Sequence, residues 1–113
     1  MATKKVSESA LIDELYAVVC RRRDQPSPDS YVSSLFARGS DRILQKVGEE
    51  TCEVVIAAKN RDPEELVKEL ADLVFHLLVL MADQEVSPAA VRRELADRFG
   101  ISGLAEKAAR SGS

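Results

Sequence analysis

The chain has 113 residues, enough for a single domain over 1–113, and its 45% apolar and 31% charged residues are typical of a globular rather than a disordered protein. A net charge of −3 and an aromatic content of 4% argue against a nucleic-acid-binding surface, which needs basic groups and stacking rings. The longest apolar run, Leu73–Ala82, is too short for a membrane span of about 20 residues. We therefore expect neither nucleic acid nor membrane as a partner.

The two cysteines, Cys20 and Cys52, form neither a disulfide framework nor the spacing of metal ligands. Free thiols of this kind are typical of a reducing cytosol. The first residues, MATKKVSES, lack the apolar centre of a secretion signal. Together these features predict a cytoplasmic protein.

Apolar residues recur at helical spacing through most of the sequence, which predicts an all-α chain of four to five helices. The predicted long helices are Ser9–Arg23, Asp41–Lys59, Pro63–Asp83 and a last helix from Ser87-Pro88 to Gly100. The segment between the first two helices holds a loop, Asp24–Ser30, and a short helical turn within Tyr31–Gly39. The tail from Ile101 to Ser113 is predicted to be a short helical turn or a frayed end.

The boundary between the second and third long helices carries the clearest signals. Asn60 is a plausible end for the second helix. Asp62 can cap the third helix, with Pro63 in its first position and Glu65 placed to close a capping box. So short a turn predicts that the two helices pack as an antiparallel hairpin, the core of the fold.

The third long helix has apolar residues around most of its circumference, so nearly all of its surface must be covered. Its apolar residues are Leu66, Leu70, Leu73, Val74, Phe75, Leu77, Leu78, Val79, Leu80 and Met81. The remaining helices of one chain can barely provide that cover. We therefore predict a homodimeric helix bundle with this helix near the interface.

The predicted hairpin also determines which acidic residues face each other, because residues equally distant from the turn lie at equal height. With residue 61 as the pivot, Glu53 is level with Glu69, and Glu50 is level with Asp72. The two levels are three residues, or about 4.5 Å, apart along the helix axes. Two facing pairs of carboxylates suit two hard divalent cations such as Mg²⁺, which prefer oxygen ligands and lie about 3.5–4 Å apart in two-metal sites.

A simpler interpretation is that these acids are solvated and form salt bridges with nearby Lys and Arg residues, as a single Glu-x-x-Glu on a helix usually does. Two such pairs, symmetric about one tight turn and embedded in apolar stripes, are less ordinary. Acids on an inward-facing helix surface are costly unless they are paired or bound to metal. The pattern therefore favours a metal site at Glu50, Glu53, Glu69 and Asp72.

Basic residues lie beside the predicted site. Arg42, Lys46 and Glu50 are spaced four apart on the second helix. Lys46 can form an ordinary helix salt bridge to Glu50 or Glu49, or it can reach a phosphate next to the metal ions, and the sequence does not decide between these roles. His76 continues the polar strip of the third helix; a satisfied core or interface histidine is the simpler interpretation, and a contact with a ligand residue or substrate is the alternative.

Two of these segments, KVGEETCE (Lys46–Glu53) and ELAD (Glu69–Asp72), resemble the signature of the all-alpha nucleoside-triphosphate pyrophosphohydrolase superfamily. That signature is Glu-x-x-Glu followed, one helical hairpin later, by Glu-x-x-Asp. Within the superfamily the chain is similar to the phosphoribosyl-ATP pyrophosphatase family over most of its length. The similar segments are 13–19, 30–50, 54–60, 69–83 and 102–110. Because the acids are common to the superfamily, the stretch Ser30–Gly48 is the specific part.

The resemblance implies an activity and roles for the residues. Phosphoribosyl-ATP and water give phosphoribosyl-AMP and pyrophosphate, the second step of histidine biosynthesis, in the cytoplasm. Mg²⁺ is expected on the four acids named above, with Lys46 and Arg42 holding phosphates and Glu49 positioning or deprotonating the attacking water. The family pattern is dimeric, and a functional link to a separate phosphoribosyl-AMP cyclohydrolase is expected. Small departures are Val32 where the family often has Thr, and Arg42 and Gln45 where Lys is common; we leave Gln45 out of the site.

Two rival functions remain. A house-cleaning enzyme of the same superfamily, acting on non-standard nucleoside triphosphates, would share the acids but not the Ser30–Gly48 segment. A non-catalytic helical dimerisation module would lose no function on Glu50→Gln or Asp72→Asn and would not be stabilised by Mg²⁺. The second rival leaves the stability cost of four clustered acids unexplained.

Overall fold

A computed structural model describes residues 7–101 of the chain, and within that range the protein is all-helical, as predicted. The helices are α1 Leu11–Asp24, α2 Tyr31–Arg38, α3 Ser40–Lys59, α4 Pro63–Asp83 and α5 Pro88–Phe99, with a single 3-10 turn at Glu8–Ala10 before α1. The predicted helical turn in the tail lies outside the described residues. In the described part of the chain, no helix combines the length and the hydropathy needed to cross a membrane.

At the junction between α3 and α4, the predicted N-terminal cap of α4 is present, whereas the predicted capping box is not. The Asp62 side chain caps α4 by accepting a hydrogen bond from the Glu65 backbone N–H at 3.2 Å. The Asp62 N–H is bonded to the Ala57 carbonyl, so the described structure shows no reciprocal capping-box bond from Glu65. α3 does end at Asn60, but the left-handed residue of the turn is Arg61, with φ of 53°.

The segment after the first loop is more regular than predicted, since Tyr31–Arg38 forms a complete eight-residue helix rather than a short turn. Its start signal is Ser30, whose side chain accepts a hydrogen bond from the Ser33 N–H at 3.1 Å. The Ser33 hydroxyl in turn donates to the Arg22 carbonyl at 3.0 Å and accepts from the Ser27 N–H. These bonds fasten the loop and α2 to the end of α1.

The hydrophobic core lies where α1, α2, α3 and α4 meet. It consists of five fully or nearly fully buried residues, Val19, Leu35, Ile43, Val79 and Ala82. The most extensive contact between helices is that of α3 with α4, so the predicted helical hairpin is the centre of the fold. α5 has the least extensive contacts of the five helices, chiefly with α1.

The half of the α3–α4 hairpin next to its turn has little cover from the other helices. Five of its apolar side chains are exposed there: Val55, Ile56, Val67, Leu70 and Val74. Val67 on α4, for example, is 67% exposed. An apolar surface of this kind on one chain agrees with the expectation that the third long helix needs a second subunit to cover it.

Candidate metal and phosphate site

Three of the four predicted acids converge between the two hairpin helices. Glu50 on α3 and Glu69 and Asp72 on α4 each offer one carboxylate oxygen, and these oxygens all lie within 4.8 Å of one another. We call these three residues the carboxylate cluster. Glu53, the fourth predicted ligand, is exposed and lies outside the cluster, although its charge acts on Glu69. The hairpin therefore brings acids from both helices together. Both residues of the predicted Glu50–Asp72 level belong to the cluster, whereas the Glu53–Glu69 level contributes only Glu69.

The electrostatics of the carboxylate cluster are unfavourable for three negative charges. The pKa of Glu69 is raised to about 7, first because its carboxyl shares a hydrogen bond with Glu65, and then because of partial desolvation and the charges of Glu65, Glu53 and Asp72. Within residues 7–101, no Lys or Arg side chain forms an ion pair with Glu69 or Asp72. The cluster thus has the oxygen donors and the excess of negative charge that a hard divalent cation would neutralise.

Two basic side chains lie on α3 beside the cluster. The Lys46 Nζ is 3.4 Å from a carboxylate oxygen of Glu49 and 3.4 Å from one of Glu50. Arg42 Nη1 lies 3.9 Å from the Glu49 carboxylate, and Arg42 Nε is buried with no hydrogen-bond partner among the described residues. Both cations therefore share one half-exposed acid, Glu49. Lys46 does make the ordinary helix salt bridge that its spacing allowed, while its phosphate role stays a prediction.

Burial alone would lower the pKa of Lys46, but the pKa is raised because Tyr31, Glu50 and Glu49 together favour the charged form. The side chain of Lys46 is only 18% exposed. The site therefore holds a permanently charged ammonium in a partly desolvated position, where it would bind a phosphate oxygen more strongly than a fully solvated lysine would.

His76 connects the carboxylate cluster to α2. The residue is only 5% exposed, as the interpretation of His76 as a core histidine requires. It also contacts a cluster residue, since its Nδ1 lies 2.7 Å from the backbone carbonyl oxygen of Asp72. Its Nε2 lies 2.9 Å from the Tyr31 hydroxyl. Sequence reasoning did not single out Tyr31, because the partners are 45 residues apart; the only signal was its position beside Ser30 in the most family-specific segment.

The assembled site therefore has two parts on one surface of the hairpin: carboxylate oxygens from two helices, and two cationic side chains one and two turns earlier on α3. Carboxylates that hold a divalent cation next to Lys and Arg suit a polyphosphate, whose oxygens can bridge the metal and the basic groups. Neither part alone is specific for a substrate.

Comparison with known proteins identifies the group to which the chain belongs. Residues 12–99 match the phosphoribosyl-ATP pyrophosphohydrolase family. The phosphoribosyl-ATP pyrophosphatase of Trichlorobacter lovleyi is 49% identical over 104 residues, 92% of this chain and 96% of that protein. The proteins of the same name from Azospirillum brasilense and Methylococcus capsulatus are 49% and 53% identical, over 97% and 83% of this chain and 98% and 90% of their own lengths. The chain is therefore a member of the phosphoribosyl-ATP pyrophosphohydrolase family.

Proposed function

We propose that this protein hydrolyses phosphoribosyl-ATP to phosphoribosyl-AMP and pyrophosphate, the second step of histidine biosynthesis. The observation that carries the proposal is the convergence of Glu50, Glu69 and Asp72 from two helices beside Lys46, in a member of this family. The named relatives align with nearly the whole chain, which supports the same reaction here. The reaction would take place in the cytoplasm, with the product passing to a separate phosphoribosyl-AMP cyclohydrolase.

Mg²⁺ is the proposed metal, held by Glu50, Glu69 and Asp72, with Glu53, which lies outside the cluster but whose charge acts on Glu69, as a proposed further ligand. Three carboxylate oxygens within 4.8 Å fit the oxygen preference of a hard cation. The pKa of Glu69 is raised first by its hydrogen bond with Glu65 and then by desolvation and by the neighbouring negative charges, which a bound cation would offset. When bound, the metal would neutralise phosphate oxygens and hold the phosphates in a fixed orientation.

The chain's own residues then have separate tasks. Lys46 and Arg42 bind phosphate oxygens. Glu49, next to both cations and half exposed, accepts a hydrogen bond from the attacking water and takes its proton. The water oxygen bonds to the α phosphorus as the bond from that phosphorus to the bridging oxygen breaks. Pyrophosphate leaves with charge balanced by the two basic side chains.

A homodimer is the proposed assembly. The apolar residues exposed near the hairpin turn include Val67, Leu70 and Val74, which repeat at helical spacing along one face of α4. A second copy of the chain that packs its own hairpin on this face would bury them in a symmetric contact. The same half of the hairpin carries the carboxylate cluster, so the interface would lie near the site.

The test is the release of pyrophosphate from phosphoribosyl-ATP, measured with and without Mg²⁺ and compared with a panel of plain and non-standard nucleoside triphosphates. We expect turnover of phosphoribosyl-ATP to exceed that of the panel and to stop when the metal is chelated. Asp72→Asn should abolish turnover, whereas Glu94→Gln, a matched loss of an acid paired with Arg98 on α5, should not. Faster turnover of a plain nucleotide would identify a house-cleaning enzyme, and full activity of Asp72→Asn would exclude the site.

A further inference from the structure

The Glu49 carboxylate lies between the two cations to which the proposed function assigns the binding of phosphate. We propose that in the protein without substrate this carboxylate occupies the place of a phosphate group between Arg42 and Lys46, and that a phosphate of the substrate displaces it. The inference rests on the proposed function, in which Arg42 and Lys46 bind phosphate oxygens and Glu49 acts on the attacking water. It adds what fills the phosphate position before the substrate binds.

The two oxygens of the Glu49 carboxylate face different cations. Oε2 lies 3.4 Å from the Nζ of Lys46, and Oε1 lies 3.9 Å from the Nη1 of Arg42. A single anion therefore bridges both basic side chains, each through its own oxygen. A phosphate group between an arginine and a lysine binds in the same way, with one oxygen for each cation. The two cations are thus already arranged around one anionic group.

All three residues belong to α3, and they are separated by four, three and seven positions. Residues at these intervals lie on one face of an α-helix. The helix itself therefore fixes the spacing of their backbone atoms. Exchange of the carboxylate for a phosphate requires only the rotation of side chains, so no helix has to move.

Glu49 is also the member of this group that is most easily displaced. Its side chain is 47% exposed, whereas those of Arg42 and Lys46 are 26% and 18% exposed. It can therefore rotate into water while the cations keep their places. Both of its contacts are longer than the roughly 2.7–2.9 Å of a tight charge-assisted hydrogen bond, and partly exposed ion pairs of this kind contribute little to stability.

Lys46 keeps a second partner when Glu49 leaves. Its Nζ is also 3.4 Å from Oε1 of Glu50, whose side chain is only 13% exposed. The ammonium therefore stays beside the carboxylate cluster, where the phosphate would bind. The released Glu49 carboxylate no longer directs its lone pairs at two cations, so it can accept a hydrogen bond from the attacking water. Binding of phosphate would thereby make Glu49 available for its part in the reaction.

The experiment measures the binding of inorganic pyrophosphate by isothermal titration calorimetry at saturating Mg²⁺. Glu49→Gln removes the competing anion, and we expect the Kd to fall about fivefold, the upper range for a partly exposed ion pair. Glu49→Asp keeps the charge but draws the carboxylate back by one carbon from both cations, so it should give a fall of about twofold to threefold. The control is Asp41→Asn, which removes an exposed acid of α3 that forms no ion pair among residues 7–101; its Kd should change less than about twofold.

A crystal structure of the wild type with Mg²⁺ and pyrophosphate provides the second measurement. We expect a phosphate oxygen next to Lys46 and Arg42, with the Glu49 carboxylate more than about 4 Å from both, beyond the range of an ion pair. A carboxylate that still bridges the two cations in this complex would refute displacement. So would a Glu49→Asp variant that binds pyrophosphate no more tightly than the wild type, because only net charge would then matter, or the absence of pyrophosphate binding in both the wild type and Glu49→Gln.

These results are independent of the turnover of phosphoribosyl-ATP. Wild-type protein that is inactive on phosphoribosyl-ATP would overturn the proposed function, while the binding of pyrophosphate would still decide whether Glu49 is displaced. Conversely, an active wild type whose Glu49 stays between the two cations would leave the proposed reaction in place and exclude only the displacement.

Discussion

Competition between a proton and the metal at Glu69 is the most direct test of the carboxylate cluster. With a pKa of about 7, Glu69 is ionised in about 10% of molecules at pH 6, about half at pH 7 and about 90% at pH 8. A metal binds the ionised form, so this group alone should make the apparent affinity for Mg²⁺ about tenfold higher at pH 8 than at pH 6. The metal must displace the proton, and proton release should be largest at low pH.

Isothermal titration calorimetry with Mg²⁺ at pH 6, 7 and 8, in buffers of different ionisation enthalpy, measures both quantities. At pH 7 we expect the release of about half a proton per site attributable to Glu69. Glu69→Gln should remove that share of proton release and most of the binding, whereas Glu94→Gln, which alters a surface pair on α5, should leave both unchanged. An apparent affinity that is the same at pH 6 and pH 8 would refute the reasoning.

The stability of the metal-free protein should depend on pH through the protonation of Glu69, and the raised pKa of that group determines the direction of the change. The ordinary pKa of this glutamate is 4.5, so between pH 4.5 and 7 the folded protein binds more protons than the unfolded chain does. Stability should therefore decrease as the pH rises through this window. Thermal unfolding of metal-free Glu69→Gln should lose this part of the decline, and an identical decline in wild type and variant would contradict the assignment.

Three further substitutions test phosphate binding by Lys46, the stability of α3 and the proposed homodimer. Lys46→Gln should lower kcat about 100-fold, as loss of a charged donor at the reacting phosphates does, while Lys68→Gln on the exposed side of α4 should not change it. Gly48→Ala should raise the Tm by about 5 °C, because the added Cβ meets nothing within 4 Å and alanine favours a helix by about 1 kcal/mol; a lower Tm would mean that another chain approaches there. Leu70→Lys should shift the protein from dimer to monomer in light scattering, and a monomeric wild type would exclude the proposed interface.

Local sequence signals were enough to predict the helices because their causes are local. The Asp62-Pro63 start and the α5 start at Ser87-Pro88 are each decided by a side-chain cap and a proline within four residues, and both capping bonds are present. The prediction for α2 was weak for another reason: its cap, Ser30, is followed by apolar residues at helical spacing, Val32, Leu35 and Phe36, but eight residues give only about two turns of that pattern. The left-handed Arg61 was not predictable from composition, since that conformation favours Gly or Asn.

The features of the site can likewise be divided into those that the sequence predicts and those that depend on tertiary packing. Helical periodicity and a three-residue turn determine which acids can face each other, so the meeting of Glu50 with Asp72 and Glu69 was accessible to counting along the sequence. Counting could not show that Glu53 lies outside the carboxylate cluster, because the angle at which two helices cross changes the distances between their side chains.

The sequence by itself determined an all-helical chain, its hairpin and the acids that meet there, because each follows from spacing within one or two neighbouring helices. Only the tertiary structure decided which acid stays outside the cluster, how Arg42 and Lys46 share Glu49, and that His76 joins Asp72 to Tyr31. Those contacts depend on how separate helices pack, and packing angles are set by the whole core rather than by any local pattern.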